Sequence, residues 1–393
     1  MFVKLPVARL VTFVYFTLCG FVLGVWVVHI PAVEHRVGIS HATLGWLLLL
    51  LGGGAFLGMQ TAGPLADRFG ARWAVPISGV ILSLALVLPG LATSPWTLAV
   101  ALFVMGFGHG CLDGSMNAHA VQVEAAYQRP IMSAFHAMFS IGGLLASLLA
   151  ARTLSWGWSP ATTMTTVAVA GVIVALASTP GLLSHTVPAA GDRPLTEQGR
   201  RSTPPWIWAL AAIAFMLMLG EGAAADWSAL AMRDVLDASP ATAGLAYGAF
   251  STAMTAGRFL IDRVAARVGP VAVLRWGSAI GALAMALVVW SPTIPVALAG
   301  WTLFGIGLAG TIPQLFSAAG HSDPAAAATN VSRVAGLGYL GMLAGPAVIG
   351  GLTHVVPLNV ALALPLVFCV IAALIAPKLR TNHTTQTASK VQA

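Results

Sequence analysis

The sequence predicts an all-α membrane protein of twelve transmembrane helices, arranged as two six-helix, pseudo-symmetric halves. Three observations lead there. Of 393 residues, 58% are hydrophobic and only 8% charged, where ordinary soluble domains carry about 25% charged residues; so little charge cannot cover a water-facing surface of this size. Largely apolar stretches of about 20 residues, the length that crosses a bilayer, recur twelve times. The second six of these fall on the first six with one constant sequence offset. The 42 glycines and 23 prolines suit the same class, because membrane bundles use them for close helix contact and for kinks.

In order, the spans cover 8–30, 42–63, 73–92, 96–118, 131–151 and 160–182, then 205–225, 240–260, 271–290, 294–316, 325–350 and 355–376. No small-residue cleavage site follows residues 10–30, so the first span is read as a helix and not as a signal peptide. Between the sixth and seventh spans lies a polar stretch with Asp192, Arg193, Glu197, Arg200 and Arg201, expected as a linker. The organisation is therefore a first half at 1–182, a linker at 183–204, a second half at 205–377 and a polar tail at 378–393. An ungapped shift of 199 residues lays the halves on each other: Thr43 and Gly45 on Thr242 and Gly244, Arg68 and Gly70 on Arg267 and Gly269, Gly106 and Gly108 on Gly305 and Gly307, and Gly142 on Gly341. Six spans per half make this a parallel repeat, and carriers so built place their solute between the halves.

Charge fixes orientation. With a cytoplasmic amino terminus, every Lys and Arg except Arg36, Arg152 and Arg233 lies on or near the cytoplasmic side, as the positive-inside rule requires. The formal charge of +7 thus reports topology and not a nucleic-acid partner. An even number of spans returns both termini to the cytoplasm, and the expected location is a bacterial inner membrane. Cys19, Cys111 and Cys369 lie within spans at no disulfide or metal-site spacing. No G-x-x-x-x-G-K-[ST] phosphate loop is present, so any uphill work must come from an ion gradient. No cofactor, metal or enzymatic reaction is expected.

Between the second and third spans stands Gly63-Pro-Leu-Ala-Asp67-Arg68-Phe-Gly70-Ala-Arg72. Its glycines permit a tight turn and close backbone approach, and Asp67 can accept hydrogen bonds from a helix N-terminus or pair with an Arg. The second half carries a degraded counterpart, Gly257-Arg258…Asp262-Arg263…Arg267-Val-Gly269, with Ala266 where Asp67 would fall. The first segment resembles the loop signature of the major facilitator superfamily, G-x-L-A-D-R-x-G-R-[RK], and departs from it at Ala71. The resemblance implies that this cluster latches the cytoplasmic gate. Asp113-Gly-Ser-Met-Asn117-Ala-His119 and Phe135-His136-Ala-Met-Phe-Ser140-Ile-Gly142-Gly143 look like the fucose-permease branch of that superfamily. Glu221-Gly-Ala-Ala-Ala-Asp226-Trp227-Ser228 and Gly338-Tyr339-Leu-Gly341…Gly345-Pro346 resemble the MosC-like bacterial carriers, linked by name to rhizopine, an inositol-derived amine. The fifth span has no proline, and Leu102 stands where drug–proton antiporters have an Arg; both departures count against a drug exporter.

A charge at the bilayer centre costs at least about 2.5–3.5 kcal/mol, so ionisable residues in spans are functional candidates. His109, Asp113 and Asn117 recur at i, i+4 and i+8 on one face of the fourth span. A His beside a carboxylate can share a proton, and Asp113 holds the position of the fucose-permease acid on that helix. Asp113, Glu221 and His109 are the proton-coupling candidates. Asn117, His109, His136, Gln314, Asn330 and Arg333 are the substrate-binding candidates, and Arg333 could equally snorkel to the surface. A purely structural role remains the alternative for each: an interhelical hydrogen-bonding stripe, a brace for a helix end, or a tie to neighbouring backbone. Trp26 and Trp46 could stack on a sugar ring, though tryptophan is also expected at the membrane interface. Residues and resemblance together imply a proton-coupled, monomeric carrier of a sugar, polyol or cyclitol-like solute, working by alternating access. The competing readings are a proton-coupled exporter of drugs or metabolites, and a transporter-like sensor that moves nothing.

Overall fold

The computed structural model describes residues 4–39, 41–183, 203–323 and 326–379; the predicted linker and tail lie almost wholly outside them. All regular structure in the described residues is helical. The helices are α1 (Leu5–Val37), α2 (His41–Phe69), α3 (Ala71–Ala85), α4 (Val87–Leu91), α5 (Pro95–Tyr127), α6 (Met132–Ser155), α7 (Pro160–Ser178), α8 (Pro205–Leu236), α9 (Pro240–Val268), α10 (Pro270–Val289), α11 (Ile294–Leu308), α12 (Thr311–His321), α13 (Ala327–Leu352), α14 (Leu358–Ala361) and α15 (Ala363–Ile375). Each predicted span has its helix. Eleven helical runs among the described residues are long and apolar enough to cross a membrane. The remaining span is α9, 29 residues long, which carries Arg258, Asp262, Arg263 and Arg267 in its second half.

Two differences from the sequence expectation have physical causes. Helices outrun the spans: α5 ends at Tyr127 and α8 at Leu236, where 118 and 225 were expected, because hydropathy marks the apolar layer and not the end of backbone hydrogen bonding. Three spans are also interrupted, after Ala85, at Ala309–Gly310 and at Leu362. Each break begins within one residue of the position four before a proline, namely Pro89, Pro313 and Pro365. Proline supplies no N–H to that carbonyl and its ring crowds it. Pro31, Pro64, Pro76 and Pro346 remain within unbroken helices.

Helix starts are written in the sequence. Ser-Pro-x-Thr occurs at 94–97, 159–162 and 239–242, opening α5, α7 and α9. In each, the serine hydroxyl accepts from the threonine N–H, at 3.3, 3.1 and 3.3 Å, and proline fills the first helical position, where no N–H is needed. Gly70 and Gly269 open α3 and α10 with φ of 87° in both, a conformation with ψ near 150° that only glycine adopts readily.

Contacts divide the chain into two compact units. One comprises Met1–Gln128, Phe135–Ile207 and Ser317–Gly336, the other Arg129–Ala134, Trp208–Phe316 and Leu337–Ala393. The 199-residue offset reappears as a contact register within them. In the first unit, a β-carbon on Gly106 would strike the carbonyl of Leu51, and one on Gly108 would meet Leu82. In the second, Gly305 stands in the same relation to Phe250, and Gly307 to Gly281; every residue of the second set is the first set plus 199. Where lipid tails match side chains in apolarity, such close backbone approach is what holds helices together.

Replacing Gly106 or Gly305 by valine is therefore expected to cost about 1–3 kcal/mol, as overpacking does, read as a lowered thermal-denaturation midpoint in detergent. At Gly53 an added β-carbon meets nothing within 4 Å, so Gly53→Ala should leave the midpoint in place. An unchanged midpoint in Gly106→Val would refute the close-approach account.

Candidate functional site

The 63–72 loop motif and its second-half counterpart each contribute one carboxylate-to-helix tie. Asp67, near the end of α2, accepts from the Ala328 N–H at 2.9 Å and from the Thr329 N–H and hydroxyl at 2.8 and 2.5 Å. The first N–H groups of a helix lack internal acceptors, and the macrodipole favours an anion there, so Asp67 caps α13. Asp262 on α9 caps α6 in the same way, accepting from Ser133 N–H at 3.1 Å and Ala134 N–H at 2.8 Å. The two acids are not at equivalent repeat positions, since the shift places Asp262 on Gly63, four residues before Asp67. The capped helices are displaced by the same four: α6 begins at Met132, which falls on Val331, while α13 begins at Ala327. Both acids thus reach the second and third N–H groups of their helix. Gly63 closes on Ser332, where a β-carbon would lie 2.6 Å from Oγ. Arg72, Arg263 and Arg267 are exposed, and exposed Arg68 lies over the Phe69 ring at 5.3 Å.

On α5 the predicted stripe is buried: His109 and Asp113 are 3% exposed and Asn117 is 0%. Gly106 and Gly110 press α5 onto the carbonyls of Leu51 and Ala55 in α2, and Gly114 faces Ser332. The polar residues occupy the adjacent strip at the same four-residue period. His109 Nδ1 lies 3.4 Å from the Cys19 thiol of α1. Asn117 donates from Nδ2 to the Asp113 backbone carbonyl at 2.9 Å, and its buried Oδ1 has no hydrogen-bond partner among the described residues.

In the second unit Glu221 faces Arg258, Oε1 to Nη2 at 3.6 Å, with side chains 16% and 11% exposed. Gln314, 4% exposed, follows the α11–α12 interruption, and its Nε2 has no hydrogen-bond partner among the described residues. The sequence-predicted residues are therefore shared out: Glu221 and Gln314 belong to the second unit, and His109, Asp113, Asn117, His136, Asn330 and Arg333 to the first. His136 packs edge-on against Phe16, centroids 5.3 Å apart. Asn330 donates to Ser322 Oγ at 3.0 Å, and Arg333 is half-buried. Trp26 is buried and Trp46 exposed.

Sequence reasoning passed over four polar residues. Arg258 was absorbed into the degraded loop motif, although its distance from the helix end placed it inside the apolar layer. Glu124 accepts from the Ser317 hydroxyl; it lay beyond the expected end of its span at 118. His29 is wholly buried, with Nδ1 bonded to the Val25 carbonyl at 2.8 Å, and carried no motif to flag it. His119 is a structural pin, bonded to Thr12 Oγ1 at 3.1 Å and to the Leu183 N–H at 3.0 Å. No group of three or more His, Cys, Asp or Glu among the described residues could hold a metal ion.

The α13 tie is testable by a double-mutant cycle. Hydrogen bonds to a charged group contribute about 1.5–3 kcal/mol, so Asp67→Ala should lower the denaturation midpoint clearly. Thr329→Val should lower it in the wild-type background and not in Asp67→Ala. Equal losses in both backgrounds would show that the hydroxyl does not act through the carboxylate.

A sequence model of the Major Facilitator Superfamily matches residues 10–228 and 210–392. The chain is 34% identical over 346 residues to an uncharacterized MFS-type transporter of Yersinia pestis, covering 88% of this chain and 89% of that one. It is 30% identical to membrane protein MosC of Rhizobium meliloti, covering 91% and 86%, and 26% identical to a gentisate transporter of Corynebacterium glutamicum, covering 81% and 74%. Among solved structures, FucP in its outward conformation shares the fold with a TM-score of 0.74, across 95% of this chain and 98% of its own, at 15% identity. With the family match running almost end to end and the helical architecture shared, the chain belongs to the Major Facilitator Superfamily and is a multi-pass membrane transporter.

Proposed function

We propose that the protein is a secondary active carrier that moves a small polar organic solute, of the sugar, polyol or cyclitol kind, across a bacterial inner membrane in symport with protons. The single observation that carries this reading is the α5 stripe. Three adjacent polar side chains, each 3% exposed or less, sit in the middle of a membrane-crossing helix, where an unused carboxylate would be a standing cost. Asp113 binds the proton, and its neighbours His109 and Asn117 offer the solute a ring nitrogen and an amide oxygen. Glu221 is a second proton site, and His136, Gln314, Asn330 and Arg333 complete the polar surface met by the solute. The halves 1–182 and 205–377 rock about the solute, with both termini in the cytoplasm and one chain as the working unit. The ties from Asp67 and Asp262 to α13 and α6 hold the gate on the side of the 63–72 loop, and opening that side breaks them. A relative whose name assigns it gentisate supports a small polar organic cargo at the level of class.

The test begins with a thermal-shift screen of purified protein against sugars, polyols, organic acids and common drugs, with hits carried into counterflow in liposomes. Asp113→Asn is expected to retain exchange of the identified solute while losing uphill accumulation driven by a proton gradient. Accumulation unchanged by both an uncoupler and Asp113→Asn would overturn proton coupling; resistance to drugs with no solute uptake would overturn the direction.

A further inference from the structure

The first unit holds a groove of about 500 Å³ between α2, α3 and α5, to which the transport scheme gives no role. We propose that it is the binding site of one phospholipid with an anionic headgroup: an acyl chain lies in the groove, and the headgroup phosphate meets Arg68 at its mouth.

The walls call for hydrocarbon. Leu65 and Phe69 of α2 and Trp73 and Ile77 of α3 form the rim, each more than half exposed. At the inner end the polar atoms are turned to backbone. The Thr61 hydroxyl donates to the carbonyls of Leu57 and Gly58, at 3.1 and 2.9 Å, and the Cys111 thiol donates to that of Gly58 at 3.5 Å. A sugar or an organic acid would leave most of its polar groups unpaired here, at a cost in free energy.

The length fits one leaflet. Phe69 to Thr61 on α2, and Trp73 to Ile81 on α3, are each eight residues, about 12 Å at the helical rise. Half of the hydrocarbon core of a bilayer is about 15 Å. The groove therefore runs inward from the 69–73 turn through most of the leaflet on that side.

The groove is also particular to its half of the repeat. Under the 199-residue shift its lining residues Ala62, Ala74 and Cys111 fall on Ile261, Val273 and Gly310. In the second unit Ile261 and Val273 crowd Gly310, where an added β-carbon would lie 2.5 and 2.8 Å from them. Two branched side chains thus fill the place that the first unit lines with two alanines. Ordinary annular lipid asks for no such difference between the halves.

Charge at the mouth selects the headgroup. The Arg68 guanidinium stands over the Phe69 ring, 5.1–5.3 Å being the usual reach of such a contact and 5.3 Å the distance here, and that same ring lines the groove. A cation is thereby held at the end of a hydrocarbon slot, where a phosphate joined to the chain must lie. Asp67, the one acid of residues 63–73, has its oxygens on the α13 start, and exposed Arg72 belongs to the same turn. Tryptophan, as Trp73 at the rim, favours headgroup depth, and basic pockets between membrane helices take anionic headgroups. A helix from a second copy would bring apolar surface to the groove but no anion to Arg68.

The experiment is native mass spectrometry of delipidated full-length protein, titrated with phosphatidylglycerol and phosphatidylcholine of the same chains and with glycerol phosphate. One phosphatidylglycerol per chain is expected to bind at least about fivefold more tightly than phosphatidylcholine, the effect of one arginine near a membrane surface. Arg68→Gln should bring phosphatidylglycerol to the level of phosphatidylcholine. Ala62→Ile with Ala74→Val, the pair that the second unit carries, should weaken both lipids about tenfold or more, by filling the groove. Glycerol phosphate should not compete. If the filled variant does not fold, Arg68→Gln and the glycerol phosphate arm still decide. Equal affinity for the two lipids, a preference that survives Arg68→Gln, undiminished binding in a folded groove-filled variant, or competition by glycerol phosphate would each overturn the assignment. A dimer of the delipidated protein that the filled variant does not form would overturn it in favour of a second copy.

Discussion

The carbonyl oxygen of Leu51 stands where a β-carbon on Gly106 would have to be, and Phe250 does the same to Gly305. Apolar side chains gain nothing by meeting one another instead of lipid tails, so close packing and hydrogen bonding must hold a membrane bundle together. Backbone approach at these glycines sets the height and rotation of α5 against α2, and of α11 against α9. Once α5 is seated, its next strip of residues turns inward whatever its chemistry. That is how His109, Asp113 and Asn117 come to be buried while Trp73, Leu148 and Leu283 are mostly exposed. The polar-in, apolar-out arrangement follows from where the small residues are.

Within such a frame a charge can be spent in two ways, and both occur. Asp67 and Asp262 take the unpaired N–H groups of a helix start, at 2.8–3.1 Å, where the acceptor replaces water that the backbone would otherwise need. Glu221 and Arg258 instead meet side chain to side chain at 3.6 Å. The first kind of contact fixes one element to another. The second joins two side chains of the second unit and occupies no backbone group of a helix start.

Much of this was legible in the sequence, for reasons that differ by residue. The twelve spans could be read because the bilayer imposes a length on apolar runs. The 199-residue repeat could be read because glycine at 106, 108, 305 and 307 is required by contacts that recur in both units. Asp67 could be narrowed to a helix N-terminus or an Arg because it stands in a loop signature with glycines around it, and the structure supplies the helix start. The breaks at Ala85, Ala309 and Leu362 were hidden, since Pro31, Pro64, Pro76 and Pro346 lie in helices that continue; whether a proline breaks a helix depends on what can shelter the freed carbonyl. Arg258 was hidden for another reason. Its partner is 37 residues away on a different helix, and no pattern along one helix announces a pair between two.

The one-turn displacement of the second tie bears on how the repeat has changed. The halves align without a gap, so no insertion or deletion carried the acid from the position of Asp67 back to that of Asp262. The start of α6 lies four residues later on the repeat than the start of α13, and the carboxylate lies four residues earlier on its own helix. The two displacements cancel, so each acid still meets the second and third N–H groups of its helix. The same kind of bond occurs in both units, while the residues that supply it stand at different repeat positions. Restoring an aspartate at Ala266 would complete the written motif, yet it would face residues that precede the helix it is meant to cap. Family resemblance at this loop is therefore better judged by which N–H groups find an acid than by how closely the residues copy a signature.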